Sequence, residues 1–285
     1  MKPIKQQEMK NLAIRLLTGI VYVGAIVFCT IFSSYTFLAL FMLITFFCLQ
    51  EFYHLVNIRR ESKINPYIHG FGGTVIFLSV FLFTSGITGR FIFSFYLLYI
   101  VGTLIYELYA KQNNPIIRLA CIFFGQIYIA LPFAALNLLA FPNSAVNPPV
   151  YQWVWIIALF IFIWANDTGA YLVGSRFGKR RFWERISPKK SWEGFFGGFA
   201  FAVVFAVIFA YFHPQIAWYH WVFLSVGVVV FGVYGDLFES FIKRTVEVKD
   251  SGHSLPGHGG FLDRFDSLLF AVYAMLFYIE LFIQQ

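Results

Sequence analysis

The stretch GDLFESFIKRTVEVKDSGHSLPGHGGFLDRFDS occupies residues 235–267 and joins two apolar segments near the end of the chain. Six of the 14 acidic residues of the chain lie within it, namely Asp236, Glu239, Glu247, Asp250, Asp263 and Asp266. Ionised side chains are costly inside or beside a membrane. A chain that concentrates its carboxylates between two apolar segments is therefore expected to use them.

The composition outside this stretch predicts a membrane protein. Of the 285 residues, 59% are hydrophobic and 12% are charged, whereas soluble domains average about 45–50% apolar and about 25% charged residues. The three cysteines lie inside apolar runs, which argues against a disulfide framework or a clustered thiolate metal site. The fold class we expect is an all-α, polytopic integral membrane protein.

Nine apolar segments are close to the length of about 20 residues that a membrane-spanning helix needs. They are residues 13–32, 35–53, 68–87, 91–109, 116–140, 152–173, 194–212, 220–242 and 265–284. The N-terminus has the charge layout of a signal peptide but no small-residue cleavage site, so we interpret it as an uncleaved first span. We expect five spans in residues 1–150 and four in residues 151–285, the latter with charged loops 174–193 and 243–264.

The basic residues predict how these spans are oriented. With the N-terminus in the cytoplasm, all but Arg90 of the 21 Lys and Arg residues lie on the cytoplasmic side. The same arrangement places the C-terminus outside and both charged loops on the cytoplasmic side. The membrane that we expect is a bacterial inner membrane. Because topology explains the net charge of +7, we expect membrane lipid and not nucleic acid as a partner.

The inner end of the eighth predicted span carries four polar residues on one helix face. Asp236, Glu239, Ser240 and Lys243 follow the spacing i, i+3, i+4 and i+7. An i,i+4 ion pair explains Glu239 and Lys243. Asp236 lies about 10 Å deeper than Lys243 at a rise of 1.5 Å per residue, and a carboxylate there needs a cationic partner or a metal ion.

The ninth predicted span begins with two further carboxylates, Asp263 and Asp266, at i and i+3 on one helix face. Both could cap the helix N-terminus, where negative charge is favoured. Taken together with Asp236, however, three carboxylates at one membrane depth favour a bound cation. Oxygen ligands without a His or Cys cluster indicate Mg²⁺ before Zn²⁺.

Between these two helix ends, LPGHGG at residues 255–260 is predicted to form a turn whose N–H groups can approach a ligand closely. Its central His258 is more readily explained as a structural hydrogen-bond donor than as a base. Cations, exposed N–H groups and a carboxylate-bound metal together describe a polyphosphate site. The cations that flank the turn are Lys243, Arg244, Lys249 and Arg264.

Two features further upstream are also candidates. Asp167 lies inside the sixth predicted span, where an ionisable group indicates a functional site or a structural hydrogen bond to a neighbouring helix. The loop that follows carries seven cations, more than orientation requires, which indicates phosphates or anionic headgroups as counterions. Lys189 and Lys190 are best placed to meet them, and Ser187 or Ser191 is expected to cap the next helix.

Four motifs resemble those of the phosphatidate cytidylyltransferases, also called CDP-diacylglycerol synthases. The longest occupies residues 240–266, where S-x-x-K-R-x4-K-D is followed by P-G-H-G-G-x-x-D-R-x-D. The others are NDTGAY at 166–171, SPKKS-x-EG at 187–194 and GDL-x-ES at 235–240. The resemblance covers roughly residues 160–270, and the preceding part is similar only as a hydrophobic multi-span region.

This resemblance implies transfer of the cytidylyl group of CTP to phosphatidic acid, giving CDP-diacylglycerol and pyrophosphate. It implies Mg²⁺ on Asp236 and Asp263, a second, monovalent cation such as K⁺, and a homodimer. Together with the residues above, it makes the expected catalytic residues Asp236, Lys243, Arg244, Asp250, Asp263 and Asp266. The expected substrate-binding residues are Asp167, Lys189, Lys190, Ser240, Lys249, His258, Gly259, Gly260 and Arg264. The role of His253, where the chain departs from the family pattern, is left open.

Two other functions fit these residues. One is a transporter or channel for an anionic solute, which predicts flux across sealed vesicles without nucleotide dependence. The sequence shows no internal repeat of the kind found in inverted-repeat transporters. The other is a CTP-dependent transferase or kinase acting on a polyprenyl or ether lipid. The product distinguishes a kinase, because it would release CDP and not pyrophosphate.

Overall fold

The computed structural model describes residues 2–58, 63–110, 114–142, 149–252, 254 and 259–283, with side chains from residue 17 onward. Nearly all of this part of the chain is helical. The helices are α1 Lys2–Phe32, α2 Ser34–Asn57, α3 Pro66–Thr84, α4 Phe93–Tyr109, α5 Pro115–Gly125, α6 Leu131–Ala140, α7 Trp153–Phe177, α8 Trp192–Phe212, α9 Trp218–Thr245 and α10 Leu262–Phe282. A 3₁₀ turn, Arg90–Ile92, precedes α4, and a π-helical turn, Gln126–Ala130, joins α5 to α6.

Eight helical segments in the described residues are long and apolar enough to cross a membrane. Each coincides with a predicted span, and α5, the π-helical turn and α6 together form the segment predicted at 116–140. The first predicted span lies in α1, whose apolar part is the shorter Leu17–Phe32. The prediction of an all-α, polytopic integral membrane protein is confirmed, whereas the orientation of its termini stays a prediction.

The segment predicted as the loop 174–193 is more ordered than the sequence analysis expects. Helix α7 continues to Phe177, and two short strands, β1 Arg181–Trp183 and β2 Ser187–Ser191, form an antiparallel hairpin. The carboxylate of Glu193 accepts hydrogen bonds from the amides of Lys179 and Arg180 and so ties the hairpin to the start of α8. Strands of three and five residues are too short to give a periodic signal in the sequence.

One apolar cluster fills the interior from Ile26 to Ile279. Helix α10 packs against α2, α6, α7 and α9, so helices from both predicted regions share this core. Buried aromatic side chains such as Phe41, Phe160 and Phe265 fill the space between them. The division at residue 150 stays a prediction.

Two glycine positions let helix backbones touch beside the polar residues. A Cβ atom on Gly235 of α9 would overlap the backbone carbonyl of Asp266 on α10. A Cβ atom on Gly198 of α8 would overlap the side chain of Asn166 on α7. Close backbone approach through small residues is typical of packing between membrane helices. It brings the carboxylates of α7, α9 and α10 towards one another.

Candidate active site

A cleft of about 560 Å³ opens between α7, α8, α9 and the hairpin. Its lining includes Asp167, Lys189, Lys190 and Asp236, all four of which the sequence analysis singled out. It also includes the largely apolar side chains of Tyr171, Phe182, Phe195 and Val233. The cleft can therefore accommodate a molecule with a charged head and an apolar body.

An ion pair closes one side of the cleft. The Nζ atom of Lys190, on β2, lies 2.5 Å from Oδ2 of Asp236, on α9. The other carboxylate oxygen of Asp236 accepts a hydrogen bond of 3.3 Å from Ser240 Oγ. The two ionic side chains are 27% and 33% exposed, so a ligand that enters the cleft can reach both.

Two further carboxylates lie close enough to Asp236 to act on it electrostatically. The charges of Asp167 and Asp266 interact with that of Asp236, with each other and with Lys190. Three carboxylates on three different helices thus interact with Lys190, and Arg264 is a second cation that acts on Asp167. Each carboxylate raises the cost of ionising the others, and an added cation would lower that cost.

A second cluster lies nearer the end of α9 and is buried. Lys243 Nζ lies 2.6 Å from Oε2 of Glu239 and 2.7 Å from Oδ1 of Asp263. The first of these contacts confirms the i,i+4 ion pair that the sequence predicts. The second joins α9 to the first turn of α10, so one lysine contacts carboxylates from both helices.

Asp263 also organises the segment that joins α9 to α10. Its Oδ2 atom accepts hydrogen bonds from the amides of Gly260, at 2.9 Å, and Ser251, at 3.1 Å. Gly259 has a φ of 85°, which only glycine adopts without strain, and a Cβ atom there would lie 2.8 Å from Asp263 Oδ2. The carboxylate therefore anchors the segment that joins α9 to α10 at two points, Ser251 and Gly260, and we call it the anchored segment.

The remaining predicted residues of this segment face outward. Arg244, Lys249, Asp250 and Arg264 are exposed, and Arg244 Nη1 donates a hydrogen bond of 3.3 Å to the carbonyl of Val248. His253, His258 and the neighbouring residues 255–257 lie outside the described residues. Three of these exposed side chains, Arg244, Lys249 and Arg264, are cations, and in the sequence they lie within or beside the anchored segment.

The structure thus divides the predicted residues between two places. Asp167, Lys189, Lys190 and Asp236 line the cleft, whereas Asp263 belongs to the buried cluster at the anchored segment. Among the described residues, no direct contact joins Asp236 to Asp263. The roles assigned to these residues from the sequence stay predictions.

The two carboxylates expected to hold Mg²⁺ differ in how well they fit a cation. Asp236 fits, because it opens on the cleft and the charges of Asp167 and Asp266 lie nearby. Asp263 has both oxygens engaged by Lys243 and by backbone amides. Within the part of the chain that the structure describes, no group of three or more His, Cys, Asp or Glu side chains is arranged to hold a metal ion.

The sequence analysis missed one carboxylate of this region. Glu51, on α2, is buried and accepts hydrogen bonds from Ser251, Ser254 and Leu262, about 200 residues away in the sequence. The sequence did indicate this residue, because an ionisable side chain inside an apolar span is a candidate for a functional role. The capping prediction was correct for Ser191, whose hydroxyl accepts a hydrogen bond of 3.1 Å from the amide of Gly194.

Fold and site together define a polytopic membrane protein with a cationic, carboxylate-rich cleft beside its apolar helices. Residues 13–282 match the model of the Cytidylyltransferase family, and the chain belongs to this family.

Curated relatives match about half of the chain. The phosphatidate cytidylyltransferase of Bacillus subtilis strain 168 is 45% identical over 137 residues, which are 48% of this chain and 51% of that protein. The phosphatidate cytidylyltransferase of Haemophilus influenzae is 40% identical over 166 residues, 56% of each chain. That of Staphylococcus epidermidis is 46% identical over 123 residues, 41% of this chain and 46% of the relative. The aligned part therefore spans about half the length of these relatives.

Proposed function

We propose that this protein transfers the cytidylyl group of CTP to phosphatidic acid, giving CDP-diacylglycerol and pyrophosphate. The observation that carries the proposal is the cleft, whose lining combines the cations Arg181, Lys189 and Lys190 with apolar side chains such as Phe182 and Phe195. A diacylglycerol phosphate has the matching chemistry, an anionic head on an apolar body. Family membership and relatives named phosphatidate cytidylyltransferase support the same activity.

In this reaction an oxygen of the phosphatidate phosphate attacks the α-phosphorus of CTP. A new P–O–P linkage forms between the two substrates. The bond from the α-phosphorus to the oxygen that bridges the α- and β-phosphorus atoms breaks, and pyrophosphate leaves. The phosphate monoester is already a nucleophile, so the protein mainly positions the two anions and neutralises their charge. Lys189 and Lys190 would bind the lipid phosphate, with Asp167 beside it.

The anchored segment would bind the nucleotide. Its exposed cations Arg244, Lys249 and Arg264 would contact the triphosphate, and Asp250 would orient it. The amide of Gly259 and the ring of His258 would add hydrogen bonds, whereas the predicted role of the Gly260 amide is taken by its hydrogen bond to Asp263. Lys243 would keep this segment in place through Asp263.

Mg²⁺ would be held by the carboxylate of Asp236, assisted by the negative charge of Asp266. When bound, it supplies charge neutralisation for the triphosphate and the departing pyrophosphate. The family resemblance adds Asp263 as a second metal position and K⁺ as a companion cation. Activity assayed across a series of Mg²⁺ and K⁺ concentrations after chelation tests both ions.

The proposal includes a location and an assembly. The protein would lie in the bacterial inner membrane, with the N-terminus and the cleft on the cytoplasmic side, where CTP is available. Membrane-impermeant labelling of single cysteines placed at residue 90 and at residue 249 tests this orientation, since only the first should react from outside. The homodimer rests on the family resemblance, and native mass spectrometry of the protein in detergent tests it.

The decisive assay combines purified protein in detergent with CTP, Mg²⁺ and phosphatidic acid. We expect CDP-diacylglycerol and an equal amount of pyrophosphate. Release of CDP would instead indicate a kinase, and product only from a polyprenyl or ether lipid would indicate another lipid substrate. Solute flux in sealed vesicles without nucleotide turnover would indicate a transporter.

A further inference from the structure

A buried carboxylate reaches from α2 to the segment that joins α9 and α10. Glu51 is buried, with only 7% of its surface exposed. Its Oε1 atom accepts a hydrogen bond of 2.6 Å from Ser254 Oγ, and its Oε2 atom accepts bonds of 3.2 Å from Ser251 Oγ and 3.0 Å from the amide of Leu262. One side chain from the N-terminal part of the chain thus holds three points of this segment.

The segment is shaped to fit this carboxylate. A Cβ atom on Gly252 would lie 2.7 Å from Glu51 Oε1, and one on Gly260 would overlap Glu51 Oε2. One turn earlier on α2, the ring of Phe47 stacks on that of Phe261, with centroids 5.1 Å apart and ring planes 14° apart. Helix α2 therefore docks the segment through a polar contact and an aromatic contact on the same face.

Glu51 and Asp263 share two contact residues, Ser251 and Gly260. The amide of Ser251 donates to Asp263 while its hydroxyl donates to Glu51, and Gly260 contacts both carboxylates. A shift of Glu51 would therefore move the amides that hold Asp263. Because Asp263 also binds Lys243, the effect would extend to the end of α9.

The energetics indicate that this contact has a role beyond filling space. A buried carboxylate is costly unless several hydrogen bonds compensate it, and an apolar side chain would fill the same position in α2 at lower cost. Leu262 is the first residue of α10, where the exposed amides of the helix favour a negative charge. The carboxylate is thus matched to the start of the helix that carries Asp263 and Asp266.

We propose that Glu51 is a positioning residue for the nucleotide. Its hydrogen bonds fix Ser251, Ser254 and Leu262, so that the flanking cations Arg244, Lys249 and Arg264 are preorganised for the triphosphate. The inference rests on the proposed function insofar as the nucleotide is the ligand of this segment. It assigns a role to α2, which lies outside the motifs that carry the family resemblance.

The test compares three variants in steady-state kinetics with CTP and phosphatidate varied separately. Glu51→Ala removes the acceptor for three donors, so we expect kcat/KM for CTP to fall on the order of tenfold to a hundredfold, mainly through KM. The KM for phosphatidate, measured at saturating CTP, should change less than about threefold. Glu51→Gln keeps the size and one strong acceptor, so it should restore most of the loss.

Glu107→Gln is the matched control. Glu107 is a second buried carboxylate in the same part of the chain, but it pairs with Arg118 and does not contact the segment. The control should lower thermal stability and leave the KM for CTP unchanged. The inference is overturned if Glu51→Ala keeps its KM for CTP within twofold of the wild-type value, or if Glu107→Gln raises that KM equally.

Amide hydrogen exchange tests the inference without relying on enzyme activity. The amides of Ser251, Gly260 and Leu262 should exchange at least tenfold faster in Glu51→Ala than in the wild-type protein. In Glu107→Gln their exchange rates should equal those of the wild-type protein. Unaltered exchange in Glu51→Ala would overturn the inference even if the enzyme were inactive, whereas a wild-type protein without product refutes only the proposed function. If Glu51→Ala does not fold, Ser254→Ala decides: a roughly threefold rise in KM for CTP is expected, and no change contradicts the inference.

Discussion

Lys190 and Lys243 each contact an aspartate, but their surroundings differ. Lys190 and Asp236 meet at the edge of the cleft with side chains 27% and 33% exposed. Lys243 lies between Glu239 and Asp263, whose side chains are 1% and 9% exposed. An exposed ion pair contributes at most about 1 kcal/mol, whereas removing one partner of a buried pair costs about 3–5 kcal/mol. The first pair can give way to a ligand, and the second is part of the permanent framework.

The largest effect should come from breaking the buried cluster. Lys243→Met leaves the carboxylates of Glu239 and Asp263 without their shared cation. We expect the free energy of unfolding to fall by about 3–5 kcal/mol, measured by chemical denaturation in detergent micelles. Lys249→Met, which removes an exposed cation six residues further on, should change it by less than about 0.5 kcal/mol. A change below 1 kcal/mol in Lys243→Met would contradict the framework role.

The cleft pair should show the opposite behaviour. Asp236→Asn removes the carboxylate proposed to hold the metal, so we expect kcat to fall about a hundredfold or more, equivalent to about 3 kcal/mol. Stability should change by no more than about 1 kcal/mol because the pair with Lys190 is exposed. Glu247→Gln, an exposed acid outside the proposed site, should retain full activity. Retention of a tenth of the wild-type kcat in Asp236→Asn would refute the assignment.

A smaller and more selective effect is expected at the other partner. Lys190→Met removes a cation proposed to bind the lipid phosphate, so the KM for phosphatidate should rise about tenfold, or about 1.4 kcal/mol, while stability stays within about 1 kcal/mol. Lys190→Arg keeps the charge and should recover part of the affinity. If the KM for CTP rises more than the KM for phosphatidate, the assignment is wrong, and the cleft would bind the nucleotide instead of the lipid phosphate.

The smallest effect concerns the support of the cleft. Ser191→Ala removes the N-cap hydrogen bond to the amide of Gly194, which should lower the free energy of unfolding by about 1 kcal/mol. Ser187→Ala, at the start of β2, is the control and should change it by less than about 0.5 kcal/mol. Equal effects in the two variants would show that the cap does not stabilise α8.

The site could be predicted from the sequence where its contacts are local. The ion pair of Glu239 and Lys243 follows from a spacing of four residues on a helix, and the cap at Ser191 follows from its place before an apolar run. The partner of Asp236 could not be predicted in this way. Lys190 lies 46 positions earlier, and only the tertiary structure brings its ammonium group to the carboxylate of Asp236.

Glu51 marks the limit of the sequence more clearly. Hydropathy identifies α2 as a span, but nothing within α2 indicates that its carboxylate meets Ser254, 203 positions later in the chain. Contacts of this kind arise when helices pack, and they leave no periodic trace along the chain. The hairpin Arg181–Trp183 and Ser187–Ser191 was missed for a different reason, because its strands are too short to give a periodic signal.

By itself, the sequence determined the fold class and indicated the charged segments on which the candidate site is proposed. Apolar runs of membrane length can only be satisfied as helices, because each backbone polar group must then be paired within the segment. Tertiary structure alone decided which contacts those segments make. It placed Asp236 and Lys190 on an open cleft, and Lys243 and Asp263 in a buried cluster. It also placed Glu51 against the segment that joins α9 to α10. Burial and partner geometry set the strength of each ionic contact, and both depend on how distant helices pack.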